Sequence, residues 1–371
     1  MGKLHLRLER NKESFMIKVS NMNGGTMTTY NTALNNFENF CMEKFGKPDI
    51  IDQLKENTEN EVLDFLQEWI NWNSKLAPVT VLNLFSRVKK YLHHRGIKIH
   101  PQDIKDELVF RRKIEEEMYP LTSDNIQTIT KAMRKKHAIQ FICQSSSMMR
   151  IGEVVQLRKK HLILDNKNII VKLPASITKF SKARTTFFSK EASKLLRPLL
   201  KDMNDDTLIF GSNENTLYSE TNSEQILRRI LIRVGLDMKY DNGRYQINTH
   251  SFRAFGITKL SRHDSNFTKK ISGQKGYLLQ YDRIDDNEKL ALYEKFELDL
   301  MIDSSEKDKA EIKQLKSDKE NLIKANDKIR DLERKNMKAY FKELMREDEI
   351  AKLKGETIPR DEYDPSWHDK K

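Results

Sequence analysis

Apolar residues recur at three- and four-residue steps along most of this chain and alternate at two-residue steps in only a few short parts. Tyr30, Leu34, Phe37, Phe40, Cys41 and Phe45 mark one amphipathic helix that opens at Thr28 or Thr29. Val62, Leu63, Phe65, Leu66, Trp69 and Ile70 mark a second over 60–72, and Val81, Leu82, Leu84, Phe85, Val88 and Leu92 a third over 78–94. The same period predicts helices over 124–136, 138–147, 191–202, 224–234 and 286–296. Only 168–173 and 185–188 are rich enough in β-branched and aromatic residues to predict strands, and a turn-rich connection separates them. The fold class is therefore mainly α with a small β-hairpin or sheet.

Breaks in this pattern divide the chain. Residues 1–27 are polar, with a weakly alternating His5-Leu6-Arg7-Leu8, and end in Asn23-Gly24-Gly25-Thr26; they read as an arm. A helical domain follows over 28–108 and a charged linker over 109–120, closed by Pro120, which disfavours helix just before it. A mixed helical and β domain occupies 121–300 and a charged helical tail 301–371. In the tail, Leu315, Leu322 and Ile329 stand seven apart, but Lys319, Asn326 and Glu333 fill the other seam. That reads as a solvated single helix rather than a coiled coil, with 355–371 disordered.

Charge changes the picture. Of 371 residues, 67 are Lys or Arg and 55 are Asp or Glu. The tail from Met301 holds 18 of each, so the whole excess of +12 lies in the first 300 residues. A basic body with a neutral tail fits a polyanionic partner, though a basic soluble protein with no such partner has the same composition. Two cysteines far apart make neither a disulfide framework nor a metal-site spacing, which fits a reducing cytoplasm. No apolar run approaches the length of a membrane span, so no membrane partner is expected.

Three segments carry candidate chemistry. In Thr249-His250-Ser251-Phe252-Arg253, helical spacing puts the imidazole and the guanidinium on one face. Arg grips phosphate oxygens and His moves protons near neutral pH, yet His-x-x-Arg pairs are common. Arg150 and Glu153 also stand one turn apart; alone they read as a surface ion pair worth little. Lys179, Lys182 and Arg184 sit on the connection between the two strands, where each could simply bind phosphate.

Taken in order, Met149-Arg150-Ile151-Gly152-Glu153, Thr178-Lys179-Phe180-Ser181-Lys182-Ala183-Arg184 and His250-Ser251-Phe252-Arg253 resemble the boxes of the tyrosine recombinase (phage-integrase-like) family. The resemblance covers roughly 28–300. Gly276-Tyr277-Leu278-Leu279-Gln280-Tyr281-Asp282-Arg283 is similar in style to archaeal integrases. The resemblance implies a helical core-binding domain that clamps DNA, then a catalytic domain. It implies as catalytic residues Arg150, Lys179, His250, Arg253, Gln274 and Tyr281, with Glu153 and Lys182 in support and Tyr277 as the alternative nucleophile. Gln274 stands where many members have His; it donates a hydrogen bond but transfers no proton. Tyr281 follows it by seven residues where nine is usual, while Tyr293 in 286–296 reads as packing. Arg87, Lys89 and Lys90, with Arg95 on the same polar face, and Arg184, Arg228 and Arg229 are implied DNA contacts.

The activity so implied is site-specific recombination of double-stranded DNA attachment sites through a 3′-phosphotyrosyl intermediate, for integration or excision of a mobile element. No cofactor and no metal is expected. The working assembly is a tetramer on DNA, monomeric or dimeric when free, in the cytoplasm with the nucleoid. Two alternatives stay open: a DNA-binding member with weakened catalysis, and a nicking-closing enzyme of the type IB topoisomerase kind.

Overall fold

Residues 9–21, 24–276 and 283–355 are described by a computed structural model of the chain. The weakly alternating 5–8 and most of 355–371 lie outside them. Two units form, one from the chain up to Met118 with Tyr240–Arg244, the other from Tyr119 onwards apart from that segment.

The first unit is helical: α1 (Lys12–Ser20), α2 (Gly24–Phe45), α3 (Ile51–Leu54), α4 (Glu59–Trp72), α5 (Pro78–Arg95) and α6 (Pro101–Glu107). Local chemistry sets the ends. The Thr58 hydroxyl accepts from the Glu61 N–H at 3.4 Å, and the Glu61 carboxylate accepts from the Thr58 N–H at 2.7 Å, so two orphan donors at the start of α4 are satisfied. Pro78 opens α5, where its missing N–H is no loss, and Gly96 closes it at a φ of 105°. Leu34, Phe37, Phe40, Leu66, Trp69 and Val88 make the core, with the Trp69 indole donating to Asn36 at 3.0 Å.

Three findings differ from the sequence reading. Leu82, expected to face inward, is exposed on α5, because it falls outside the arc that Leu84, Phe85, Val88 and Leu92 turn to the core. Residues 12–20, read as part of an arm, form α1, whose Phe15 and Val19 are buried; Phe15 meets the rings of Tyr30 and Tyr91. Arg95, expected on the polar face of α5, is buried and paired with Asp49 at 2.6 Å and Asp52 at 3.2 Å. Its partners lie more than forty residues upstream, beyond the reach of local spacing. Arg87, Lys89 and Lys90 remain at the surface of α5, Arg87 lying over the Tyr30 ring at 5.9 Å.

The second unit holds α7 (Ser123–Lys131), α8 (Lys135–Ser147), α9 (Ile151–Val155), β1 (Leu162–Ile163), β2 (Ile170–Leu173), β3 (Arg184–Phe187), α10 (Lys190–Leu200), α11 (Thr216–Val234), α12 (Thr249–Ser261), α13 (Ser265–Ser272), α14 (Asp286–Phe296) and α15 (Ser304–Lys354). The strands form one antiparallel sheet in the order β1-β2-β3, with Val171 opposite both Leu162 and Thr186. The mainly helical class with a small sheet is the one the periodicity predicts. Three elements go beyond it. β1 is too short to leave a pattern. α11 begins eight residues earlier than expected, where the Asn215 side chain caps it by accepting from the Tyr218 N–H at 3.0 Å. α13 hides in a polar stretch, yet Asp264 caps it, Phe267 and Ile271 are buried one turn apart, and Gly273 ends it at a φ of 70°. No helix among the described residues is long and apolar enough to cross a membrane.

Helix α8 is the centre of this unit. Ile139–Ser147 is buried throughout. Small side chains let α12 close on it: a Cβ added to Gly256 would lie 2.1 Å from the Ser145 carbonyl oxygen, a contact only glycine permits. The last carbonyls of a helix have no partner within it. Here other elements supply donors: the Thr186 hydroxyl to Ser147 at 2.8 Å, the Tyr293 hydroxyl to Ser146 at 2.9 Å, and the Arg253 guanidinium to Met148. β3, α14 and α12 are thereby fastened to one helix end. Tyr293 is fully buried, and burial pushes its hydroxyl well above the ordinary range, in keeping with the packing role read from the sequence.

Candidate active site

The turn from α8 into α9 places the first arginine. Met148 takes the left-handed conformation at a φ of 55°, which costs a non-glycine residue on the order of 1 kcal/mol and turns the chain sharply. Its carbonyl is aimed at Arg253, and Arg150 follows as the N-cap of α9. Glu153, one turn on, accepts from the Arg150 backbone N–H at 2.8 Å and from its guanidinium at 3.1 Å.

Glu153 is buried and holds a second arginine as well. Arg184, at the start of β3, donates to its two carboxylate oxygens at 3.0 and 2.5 Å, and its Nε donates to the Ile271 carbonyl at 3.1 Å. Burial works to raise the Glu153 carboxyl, but Arg184 and then Arg150 outweigh it and hold it below its ordinary range. Arg184, implied as a DNA contact, is thus committed inside the protein. Gly273 lets the chain pass it: a Cβ there would stand 3.0 Å from the guanidinium.

Helix α12 brings the other pair. The Asn248 side chain caps it by accepting from the His250 N–H at 2.9 Å, and the Gln144 side chain donates to the Thr249 carbonyl at 3.0 Å. Arg253, one turn further, is buried and donates to the carbonyls of Met148 and, at 2.9 Å, Ser272. Desolvation and then the nearby Arg150 bring its guanidinium down to about 10. His250 stands at the rim. Desolvation comes first, then Arg253, Arg150 and Lys179, in holding its imidazole below the ordinary 6.5. Three cations gathered around one imidazole make a site that favours an anion.

Two clefts meet at Arg150 and Thr178. One, of about 460 Å³, is lined by Arg150, Glu153, Lys179, Glu220 and His250 among others; the second, of about 710 Å³, by Arg150, Phe180, Lys182, Gln274 and Lys275. The connection 178–183 forms the wall between them. Thr178 pins it by accepting from the Lys182 N–H at 3.0 Å, Ser181 takes a φ of 49°, and Lys179 and Lys182 are both exposed. The structure so gathers Arg150, Glu153, Lys179, Lys182, Arg184, His250, Arg253 and Gln274 in one place. Arg228 and Arg229 sit apart, exposed on α11, with Arg228 paired to Glu224 at 2.6 Å. Tyr277 and Tyr281 lie outside the described residues.

The sequence reading passed over Phe180. Its ring lies 5.4 Å from the Arg150 guanidinium and 5.3 Å from the Lys275 ammonium, bridging two cations across the second cleft. An aromatic residue between two loop lysines was the available signal. Among the described residues, no group of three His, Cys, Asp or Glu side chains is placed to hold a metal ion.

Residues 112–270 match the family model described as the phage integrase family. That segment is a phage integrase domain. It contains Arg150, Lys179, His250 and Arg253 and ends just before Gln274. No curated protein sequence matches the chain. Three solved structures share the fold around the phage integrase domain. An integrase of the Tn1549 transposon in complex with transposon right end DNA superposes with a TM-score of 0.53 at 16% identity, over 76% of this chain and 97% of that one. XerH site-specific recombinase bound to its difH substrate gives 0.50 at 19% identity, over 75% and 82%. A lambda integrase dimer bound to a COC′ core site gives 0.50 at 13% identity, over 74% and 97%.

Proposed function

We propose that the chain is a site-specific DNA recombinase that cuts and rejoins strands through a 3′-phosphotyrosyl bond, in the integration or excision of a mobile element. The observation that carries this reading is the cleft lined by Arg150, Lys179 and His250, with the buried Arg253 one turn from His250 on α12. A bridging DNA phosphate is the anion such a site lacks.

Each residue then has a task. Arg150 and Arg253 bind the non-bridging oxygens and stabilise the charge that grows on them in the transition state. Glu153 fixes Arg150 in place, and Arg184 keeps Glu153 ionised. Tyr281, or Tyr277 in its stead, attacks phosphorus. The new O–P bond forms as the bond to the 5′ oxygen breaks, and Lys179 protonates that leaving oxygen. His250 takes the tyrosine proton, and Gln274 donates a hydrogen bond to the phosphate without moving a proton. Religation runs the same steps backwards with an incoming 5′ hydroxyl. Lys182 holds a neighbouring phosphate; Arg87, Lys89, Lys90, Arg228 and Arg229 hold others further along the duplex. The partners are attachment sites on double-stranded DNA in the cytoplasm, engaged by four protomers.

A trapped adduct tests this. DNA selected for binding would carry a nick or a 5′-bridging phosphorothiolate, and wild type would run on a denaturing gel beside Tyr281→Phe and Tyr277→Phe. An adduct lost only in Tyr281→Phe establishes chemistry and nucleophile together. Loss only in Tyr277→Phe keeps the chemistry and moves the nucleophile. Binding with no adduct in any lane leaves a DNA-binding protein with weakened catalysis, Gln274 being the first suspect. Relaxation of plasmid lacking the selected site marks a nicking-closing enzyme instead.

A further inference from the structure

Helix α15 runs for 51 residues with its apolar side chains in water. Ile312, Leu315, Ile323, Ile329, Met337 and Tyr340 are each more than half exposed. At about 100° per residue they fall within a band roughly 120° wide, a single stripe about 43 Å long from Ile312 to Tyr340. Apolar patches on monomers seldom exceed a few hundred Å², so a stripe of this length calls for an occupant. Lys319, Asn326 and Glu333 lie at seven-residue steps near its centre line, all exposed.

Charge says what the occupant is. The tail from Met301 holds equal numbers of basic and acidic residues, while the whole excess of +12 lies before it, so the tail lacks the charge that draws a polyanion. Lys319, Asn326 and Glu333 complement their own copies when two such helices run antiparallel. We propose that α15 pairs antiparallel with α15 of a second copy about a two-fold axis at Asn326. Residues equidistant from Asn326 then face each other. Ile312 meets Tyr340, Leu315 meets Met337 and Ile323 meets Ile329, each pair occurring twice, while the equally exposed Leu322 lies against the aliphatic stem of Arg330. Lys319 meets Glu333, also twice, and Asn326 meets its own copy, which fixes the register as a lone seam asparagine does. Parallel in-register pairing sets Lys319 against Lys319 and Glu333 against Glu333, so repulsion excludes it. The proposal is independent of the recombinase reading.

Sedimentation of the full-length protein without DNA tests it. Wild type is expected to be a dimer. Lys319→Glu alone and Glu333→Lys alone each raise the dissociation constant about tenfold or more, and the two together restore it. Leu315→Cys protein mixed with Met337→Cys protein gives a disulfide-linked heterodimer under mild oxidation, with little background because Cys41 and Cys143 are buried. All four positions are exposed on α15, so the thermal unfolding of the rest of the chain should not move, which separates lost pairing from lost folding. A monomer at every concentration, a dimer indifferent to the charge swaps, or Leu315→Cys linking only to itself each overturns the proposal.

Discussion

The floor and the rim of the candidate site carry the same kind of charge and hold it in opposite ways. On the floor, Arg253 is buried and Arg184 nearly so, and their donors are taken up by the carbonyls of Met148, Ser272 and Ile271 and by Glu153. On the rim, Lys179 and Lys182 are exposed, on a loop shaped by the Thr178 side chain and a left-handed Ser181. Lys182 and Arg184 are two residues apart in sequence yet belong to different classes. A buried charge is part of the fold, and its loss is felt in stability. A solvated charge costs the fold little, and its loss is felt only when an anion arrives.

That contrast yields graded predictions. The largest effect is expected at the rim: Lys179→Ala should slow adduct formation on nicked DNA with an all-oxygen scissile phosphate about 10²- to 10⁴-fold, as loss of a proton donor does, with no change in thermal unfolding. A matching fall in Tm would move Lys179 to the floor. Next comes Glu153→Ala, which strands Arg184 beneath the surface and should cost about 3–5 kcal/mol in denaturant unfolding, because the partner charge stays buried. The acid limb follows from the same group. Its folded value lies below the ordinary 4.5, so its stabilisation is complete above 4.5 and is lost as pH falls through the folded value. Glu153→Gln should flatten that limb of the stability–pH curve; an unchanged limb would show that other carboxylates set it.

Gly256→Ala tests the packing under the floor. Its methyl would meet the Ser145 carbonyl, and forcing α12 from α8 should cost about 1–3 kcal/mol and slow adduct formation by moving His250 and Arg253. Normal stability with normal activity would mean the two helices separate freely. Smallest is Phe180→Leu, which keeps the apolar bulk but removes the ring face shared by Arg150 and Lys275; about 0.5–1 kcal/mol, up to a fivefold weaker DNA affinity, is the expected scale. Phe180→Tyr should leave affinity unchanged, and a loss there as large as in Phe180→Leu would assign the effect to shape rather than to the ring face.

Much of the fold was legible because it is local. Pro78 stands at the start of a predicted helix, and the spacing of Val62 to Ile70 names the face that α4 buries. α13 was equally local but thin: Asp264, Phe267, Ile271 and Gly273 are the whole signal within eight polar-looking residues. Phe15 and Val19 gave too short a pattern for α1 to stand out from an arm.

The sequence by itself determined the helical periods, the order of the Arg150, Lys179 and His250–Arg253 boxes, and the segregation of positive charge from the tail. Only the tertiary structure decided which cations are buried. Arg95 finds Asp49, Arg184 finds Glu153, and Arg253 finds Met148, across 46, 31 and 105 residues of chain. Burial depends on which distant segment covers a side chain, and a guanidinium bound for the interior looks, in sequence, the same as one bound for a phosphate.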